Sequence, residues 1–363
     1  MKNKHQHFIP QTYLKKFAHT RKEDKYFVDA YDKILKKHIS DISVKNICVE
    51  TDLYTLKHLG DKDKFKIENF FSNSIESKFP NVYNILVKQK KEFINMQERE
   101  DILYTTLSMY FRTPKVLNNF VEFILKIHND VNDNIKLINF LGYDIDINCK
   151  EFSELRKIIK EKNRLQYIKT QLYLLDEFVK FKKFDGIVVL ELIGDQEFIT
   201  SDNPVDITSH LGGFNLFDSN NSIYVTLDHK HALYIAPKNE QSIINQVTYQ
   251  KDNFNQHLVL NHSVYDNAER WIIGSKNGIN QFLKDFNQNM QVTDQNHPSI
   301  LVYKEKISII QELIILMEKG VSNQNVELVN KLKEIRTHRL YEKHIDLQEM
   351  YKKIVDIGID IDF

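Results

Sequence analysis

The chain has 363 residues, 42% apolar and 28% charged, with 23 Phe and 17 Tyr. That composition belongs to a folded protein with a large core and excludes disorder as the expected state. Lys plus Arg equals Asp plus Glu at 50 each, which excludes a global field drawing the chain to nucleic acid or anionic lipid.

Gly and Pro are scarce, at 10 and 6 residues, which favours long helices over a turn-rich β-sandwich. Cys48 and Cys149 are the two cysteines, too few for a disulfide framework and in keeping with a reducing cytoplasm. The polar N-terminus lacks the apolar core of a signal peptide, and the absence of any run of about 18 apolar residues predicts no membrane span.

In chain order, Pro10 fits the first turn of a short helix that places Tyr13, Leu14 and Phe17 on one face. Residues 25–34 alternate apolar and polar and read as a strand, and residues 43–56 as a turn followed by a strand or short helix. From about 64 to 184 the spacing is helical, with Pro80 and Pro114 kinking or dividing the helices. Residues 186–193 and 197–207 then read as strands, and 222–228 with 232–237 as a hairpin. Helical spacing returns near 240–260, residues 268–275 suggest another strand, and 305–357 is helical again. Residues 150–184 carry ten Lys or Arg against five Asp or Glu, whereas residues 185–228 carry eight acids and no Lys or Arg. A basic helical segment therefore precedes an acidic sheet segment.

Three polar clusters stand out. In "HQHFIP", His5 and His7 are two apart, so an extended segment points both the same way. They read either as surface residues before a helix or as a metal ligand and general base. In "TSDNPV", Asn203 precedes Pro204 and is held extended. Asp202 reads either as a local Asx turn or as a carboxylate presented rigidly at a strand end. In "YFRTP", Arg112 sits in an aromatic helix and must find an acceptor, either a structural carboxylate or a ligand anion. Glu68 and Glu76, two helical turns apart, are partners for it or metal ligands. No phosphate-binding glycine loop, Gly-x-Ser-x-Gly elbow or His-Glu-x-x-His helix is present.

These clusters together resemble an uncharacterised bacterial family, domain of unknown function 4238. Its opening pattern His-x-x-Pro-x-x-Tyr-Leu-x-x-Phe is matched by His7, Pro10, Tyr13, Leu14 and Phe17. Its next block is matched by the residues ending on Tyr54, its Glu-x7-Glu helix by Glu68 and Glu76, its Arg-x-Pro helix by "FRTP", and its most specific motif by "ITSDNPV". Its closing block is matched by residues 257–275, with Asn261, Ala268 and Arg270. The resemblance covers roughly residues 4–275 and singles out His7, Arg112, Asp202 and Asn203.

The expected fold is α+β: a large helical body over about 60–184 with a small, mainly antiparallel sheet over about 186–275, which the strand near 25–34 could join. Residues 1–275 would form one domain, and a helical C-terminal extension at 290–363 would pack on it. His7, Arg112 and Asp202 are expected to converge on one pocket. The leading functional expectation is a cytoplasmic phosphodiester hydrolase, a nuclease acting on RNA or nucleotides. His7, Asp202, Arg112 and Asn203 would be catalytic, and Arg112, Asn261 and Arg270 would hold substrate. Mg2+ or another divalent metal would sit on His7, Asp202 and Glu76. The basic helix would meet the nucleic acid. By analogy alone, such a protein could serve as a phage-defence or toxin effector, with a partner protein. The rival expectation is a non-catalytic binding module in which His7, Arg112 and Asp202 form a buried structural network.

Overall fold

In a computed structural model, the structure describes residues 5–55, 65–116, 164–208, 216–238, 243–252, 256–288, 326–338 and 345–356, with a few single positions between 118 and 341. The N-terminal part of the basic helix, 150–163, and much of the 290–363 extension lie outside these residues.

The chain begins with β1 (His5–His7), which pairs antiparallel with β5 (Val49–Thr51). Helix α1 (Gln11–Leu14) starts after Pro10 and runs into a 3-10 turn at Lys15–Phe17. The short β2 (Thr20–Lys22) leads to β3 (Lys25–Asp32) and β4 (Lys37–Ser43). From Lys66 to Lys88 the backbone stays helical but changes pitch: α2 (Lys66–Phe70), a π turn at Phe71–Ile75, a 3-10 turn at Glu76–Lys78, α3 (Phe79–Tyr83) and a second π turn at Asn84–Lys88. Pro80 sits in the first turn of α3, where its missing N–H is harmless. Helix α4 (Met96–Phe111) opens on a capping box: Asn95 accepts from the Glu98 N–H, and the Glu98 carboxylate accepts from the Asn95 N–H, each at 2.9 Å. It ends three residues before Pro114. Helix α5 (Arg164–Phe181) packs along α4.

The second half is sheet-rich. β6 (Gly186–Glu191), β8 (Val205–Thr208), β9 (Ser222–Thr226), β10 (His231–Ala236) and β11 (Val247–Lys251) form one five-stranded sheet in the order β11–β6–β10–β9–β8. Only the β11–β6 pairing is parallel there. β7 (Thr200–Ser201) leaves that sheet and pairs with β12 (Trp271–Gly274). β12 in turn pairs with β3, completing a second five-stranded sheet with β2 and β4. Helix α6 (Gln256–Asn267) packs against β7 and β8, and α7 (Lys276–Gln288) against β12 and β3. Helices α8 (Val326–Thr337) and α9 (Ile345–Asp356) share a core with Val259 of α6 through Leu332, Ile335, Leu347 and Tyr351.

This corrects the expected fold class. The protein is a mixed α and β structure with three sheets, of two, five and five strands, rather than a helical body carrying one small sheet. The miss has a physical origin. β3 and β4 belong to a sheet completed by β12, about 240 residues later in the chain, and strand pairing at that separation leaves no mark on local periodicity. Residues near 247–251 form β11 instead of continuing a helix.

Tyr13 ties the two large sheets together. Its side chain is fully buried against Phe17 and Phe79. Its hydroxyl meets Thr200 of β7 in one sheet and, at 3.4 Å, Thr226 of β9 in the other. Thr226 donates onward to the Ile199 carbonyl at 3.1 Å. Tyr13→Phe keeps the ring and removes this junction. It is expected to destabilise the protein by about 1–2 kcal/mol, read as a lower urea midpoint at unchanged slope; an unmoved midpoint would contradict the tie.

Candidate functional site

The residues singled out by sequence fall into two groups. The first surrounds Arg112, at the C-terminal end of α4. Its side chain is 3% exposed. Nη1 donates to Glu76 Oε1 at 2.7 Å, Nη2 to the His7 carbonyl at 2.7 Å, and Nε to the Tyr54 hydroxyl at 3.3 Å. The Tyr54 hydroxyl donates back to the Arg112 carbonyl. The Phe71 ring lies 4.3 Å from the guanidinium carbon and the Tyr54 ring 5.4 Å. Burial opposes the charge, yet Tyr54 and Glu76 outweigh it and hold the guanidinium above its ordinary value. Glu76 is the partner that Arg112 requires; Glu68, on the far side of the first π turn, instead accepts from Gln6 Nε2 at 2.8 Å.

His7 joins this group through its backbone and turns its ring elsewhere. Nε2 lies 3.0 Å from the Val44 carbonyl. A carbonyl only accepts, so Nε2 carries the proton and Nδ1 is bare. Gln11 Nε2 is 3.4 Å from Nδ1 and supplies the donor there. Burial lowers the ring's proton affinity, against the Val44 bond, so His7 is neutral near pH 7. Gln6, pointing the other way from β1, is buried and holds the Tyr54 N–H and the Thr55 hydroxyl. His5 is exposed.

The second group surrounds the turn between α6 and β12. Asp202 Oδ1 accepts from the Glu269 N–H at 3.0 Å, and Oδ2 from Arg270 and Trp271 at 2.9 and 3.1 Å. Burial pushes the carboxyl up, while the three N–H groups pull it down. Asn203 Nδ2 donates to the Asn267 carbonyl at the end of α6, and its Oδ1 is buried without a donor among the described residues. Asn261 brackets the strand entering the motif: it accepts from the Ile199 N–H and donates to the Glu197 carbonyl. Arg270 pairs with Asp32, a fully buried carboxylate at the end of β3. Burial works against Asp32, but the Leu35 N–H and Arg270 hold it below the usual carboxylate range. Lys33 and Lys115 donate to carbonyls in the last turn of α6, where the helix dipole favours cations.

The hydrogen bonds therefore bring His7, Arg112 and Glu76 together, and Asp202, Asn203, Asn261 and Arg270 around a different turn. Asp202 is bonded to neither His7 nor Arg112. Cys48 lies between the groups: its carbonyl accepts from Phe8, and its thiol is pushed up by burial and by the Asp202 charge. The donor set does not suit the expected divalent cation. His7 Nδ1 faces the Gln11 amide, Glu76 Oε1 the Arg112 guanidinium and both Asp202 oxygens backbone N–H groups, and the lone orphaned oxygen of Asn203 is far short of the six or so that Mg2+ takes. Among the described residues no three His, Cys, Asp or Glu side chains are grouped to hold a metal.

At the described end of the basic segment, Lys180, Lys182 and Lys183 are already paired. Lys180 meets Asp176 and Glu177, and Lys183 meets Glu100. Lys182 is buried on Asp185 and the Asn221 carbonyl. Sequence reading missed Gln6, Asp32, Lys33 and Arg99. Arg99 is 1% exposed and donates to the carbonyls of Lys183, Asp185 and Ile244. Its only sequence signal is a charge on the inward face of α4.

The His7 ring gives a pH prediction. Its affinity is lowered in the folded state, so between the unfolded value of about 6.5 and the lower folded value the unfolded chain binds the extra proton. Stability therefore falls as pH drops through that window. His7→Gln, which preserves a donor to Val44, is expected to lose less stability between pH 7 and 5 in chemical denaturation. The remaining slope includes His38 and His229, both also lowered by burial. An identical slope in the variant would contradict the neutral buried ring.

No helix among the described residues is long and apolar enough to cross a membrane. No curated protein and no solved structure matches the chain. A family profile described as "Protein of unknown function (DUF4238)" matches residues 5–278, from β1 to the start of α7. That span contains every motif residue in both polar groups, and the chain belongs to the DUF4238 family.

Proposed function

We propose that this chain is a cytoplasmic, non-catalytic binding or interaction module, in which His7, Arg112, Glu76, Asp202 and Asn203 are architectural. One observation carries the reading. The Asp202 carboxylate, the strongest catalytic candidate in the sequence, is buried and places three of about four acceptor positions on consecutive backbone N–H groups. Arg112 supports it: its guanidinium is enclosed by two aromatic rings and directed at Glu76, Tyr54 and a strand carbonyl, leaving a phosphate no approach from solvent. The buried free thiol of Cys48 fits a reducing compartment.

The test is Asp202→Asn. An amide can accept from Glu269 but turns an NH2 group on the Arg270 and Trp271 N–H donors. Each hydrogen bond lost to a charged acceptor costs about 1.5–3 kcal/mol, and in a chain this long each kcal/mol moves Tm by about 2 °C or less. The variant is therefore expected to melt several degrees lower. Purified wild-type protein is expected to leave DNA, tRNA and nucleotides intact with Mg2+ and with EDTA alike. Metal-dependent cleavage that Asp202→Asn abolishes at unchanged Tm would overturn this reading in favour of a phosphodiester hydrolase.

A further inference from the structure

The hairpin between β3 and β4 places two aliphatic side chains where the fold gives them nothing to bury against. Asp32 pairs with Lys37, so Lys33, Ile34, Leu35 and Lys36 form the turn. Ile34 is 68% exposed, the most of any large apolar side chain among the described residues, and Leu35 is 63% exposed. Turn geometry does not ask for them, because such positions favour Gly, Pro, Asn, Asp and Ser. Lys36, at φ 50°, takes the left-handed position without a glycine. Scattered apolar residues on a surface are ordinary; an adjoining aliphatic pair at a hairpin tip is what neither turn chemistry nor packing requires.

The tip is held from below. Asp32 Oδ1 accepts from the Ile34 and Leu35 N–H groups, both at 3.0 Å. The Lys33 N–H donates to the Arg270 carbonyl at 2.8 Å, and the Lys33 ammonium to the Tyr265 and Ala268 carbonyls. The aliphatic pair therefore stands on a fixed base and has little backbone freedom to lose on docking. The charges around it favour an anionic partner. Lys36 and Lys37 are exposed and make no ion pair among the described residues. Asp32, the only acid between Asp29 and Asp41, is fully buried and taken by Arg270 Nε and Nη2 at 2.9 and 2.8 Å. On the adjoining end of α6, Asp266 meets His262 at 3.0 Å, and Glu269 is the one open carboxylate against the two open ammonium groups.

An aliphatic pair followed directly by two lysines fits a lipid interface. Apolar side chains enter the boundary between headgroups and acyl chains, lysines stay at headgroup level, and the two attractions add. Four turn residues fall far short of the roughly 20–30 that a stable protein interface takes from each side, whereas a lipid surface admits a small tip anywhere. The chain is neutral overall, so the attraction is local and confined to about a Debye length from the tip. We propose that the β3–β4 tip docks the protein on an anionic lipid surface, with Ile34 and Leu35 in the interface and Lys36 and Lys37 on the lipid phosphates. This deepens the reading of the chain as a binding module, and rests on it, by naming the partner.

The test is co-sedimentation of the full-length protein with vesicles of phosphatidylcholine alone or mixed with an equal part of phosphatidylglycerol. It is run at low ionic strength and again in molar salt, which cuts the screening length to about 3 Å. The protein is expected to pellet with the mixed vesicles only, and to be released by salt. Ile34→Ser/Leu35→Ser is expected to weaken binding by about tenfold or more. Lys36→Gln/Lys37→Gln is expected to weaken it by about 25-fold, at about fivefold per lysine. Both pairs should keep the wild-type Tm, since the side chains are exposed; if one variant does not fold, the other decides. Wild-type protein that stays in solution with the mixed vesicles, that pellets equally with phosphatidylcholine alone, or that is matched in affinity by either variant would overturn the docking tip. Absent vesicle binding leaves the architectural reading of Asp202 standing, whereas metal-dependent cleavage alongside intact vesicle binding does the reverse.

Discussion

A single carboxylate holds the corner where the chain passes from one sheet to the other. β7 belongs to the sheet with β12, and β8 to the sheet with β9. Only Asp202, Asn203 and Pro204 lie between β7 and β8. Pro204 keeps Asn203 extended, and Asp202 anchors the corner on the three N–H groups that open β12. Without that anchor, the Glu269, Arg270 and Trp271 N–H groups lose the one acceptor they share. The same turn is then held from below by Asn203 and Lys115 on the end of α6, and from the side by Arg270 on Asp32. Thr200, at the start of the corner, is the contact of Tyr13. The family's separate sequence blocks are therefore one another's binding partners.

The Arg112 group repeats this logic at the other end of the N-terminal segment. One guanidinium joins the end of α4, the edge strand β1 and the helical stretch carrying Glu76. A buried pair of this kind is weak evidence for net stability, but removal of one partner costs about 3–5 kcal/mol because the other charge is stranded. Buried polar networks specify one arrangement among many compact ones when all members are satisfied. Such residues are demanded by the fold, so their recurrence in a family pattern does not by itself point to chemistry.

Local features of this organisation were legible in the sequence, and long-range ones were not. β6 and the β9–β10 hairpin follow directly from β-branched runs and spacing. The need of Arg112 for an acid, with Glu76 among the candidates, followed from the cost of burying an unpaired guanidinium. The Asx reading of Asp202 anticipated a carboxylate accepting from backbone N–H groups, although those donors belong to residues 67–69 positions away instead of its own turn. The strands β3 and β12 and their place in a common sheet were anticipated, but their separation from β6–β11 into a second sheet was not, because β3 meets β12 across most of the chain. His7 looked like half of a metal pair because alternation places it on the same side as His5. The strand geometry is as expected, but the Val44 carbonyl takes Nε2 and the Gln11 amide faces Nδ1, and His5 is exposed.

Native-state hydrogen exchange of the Arg270 and Trp271 amides tests most directly whether Asp202 serves the backbone. If the carboxylate anchors the corner, both amides exchange in the wild type only on near-global unfolding. In Asp202→Asn they then exchange through a local opening, faster than the amides of β9 and β10, whose protection tracks the global stability. Arg270 and Trp271 amides that exchange rapidly in the wild type, or that keep full protection in Asp202→Asn, would contradict the account.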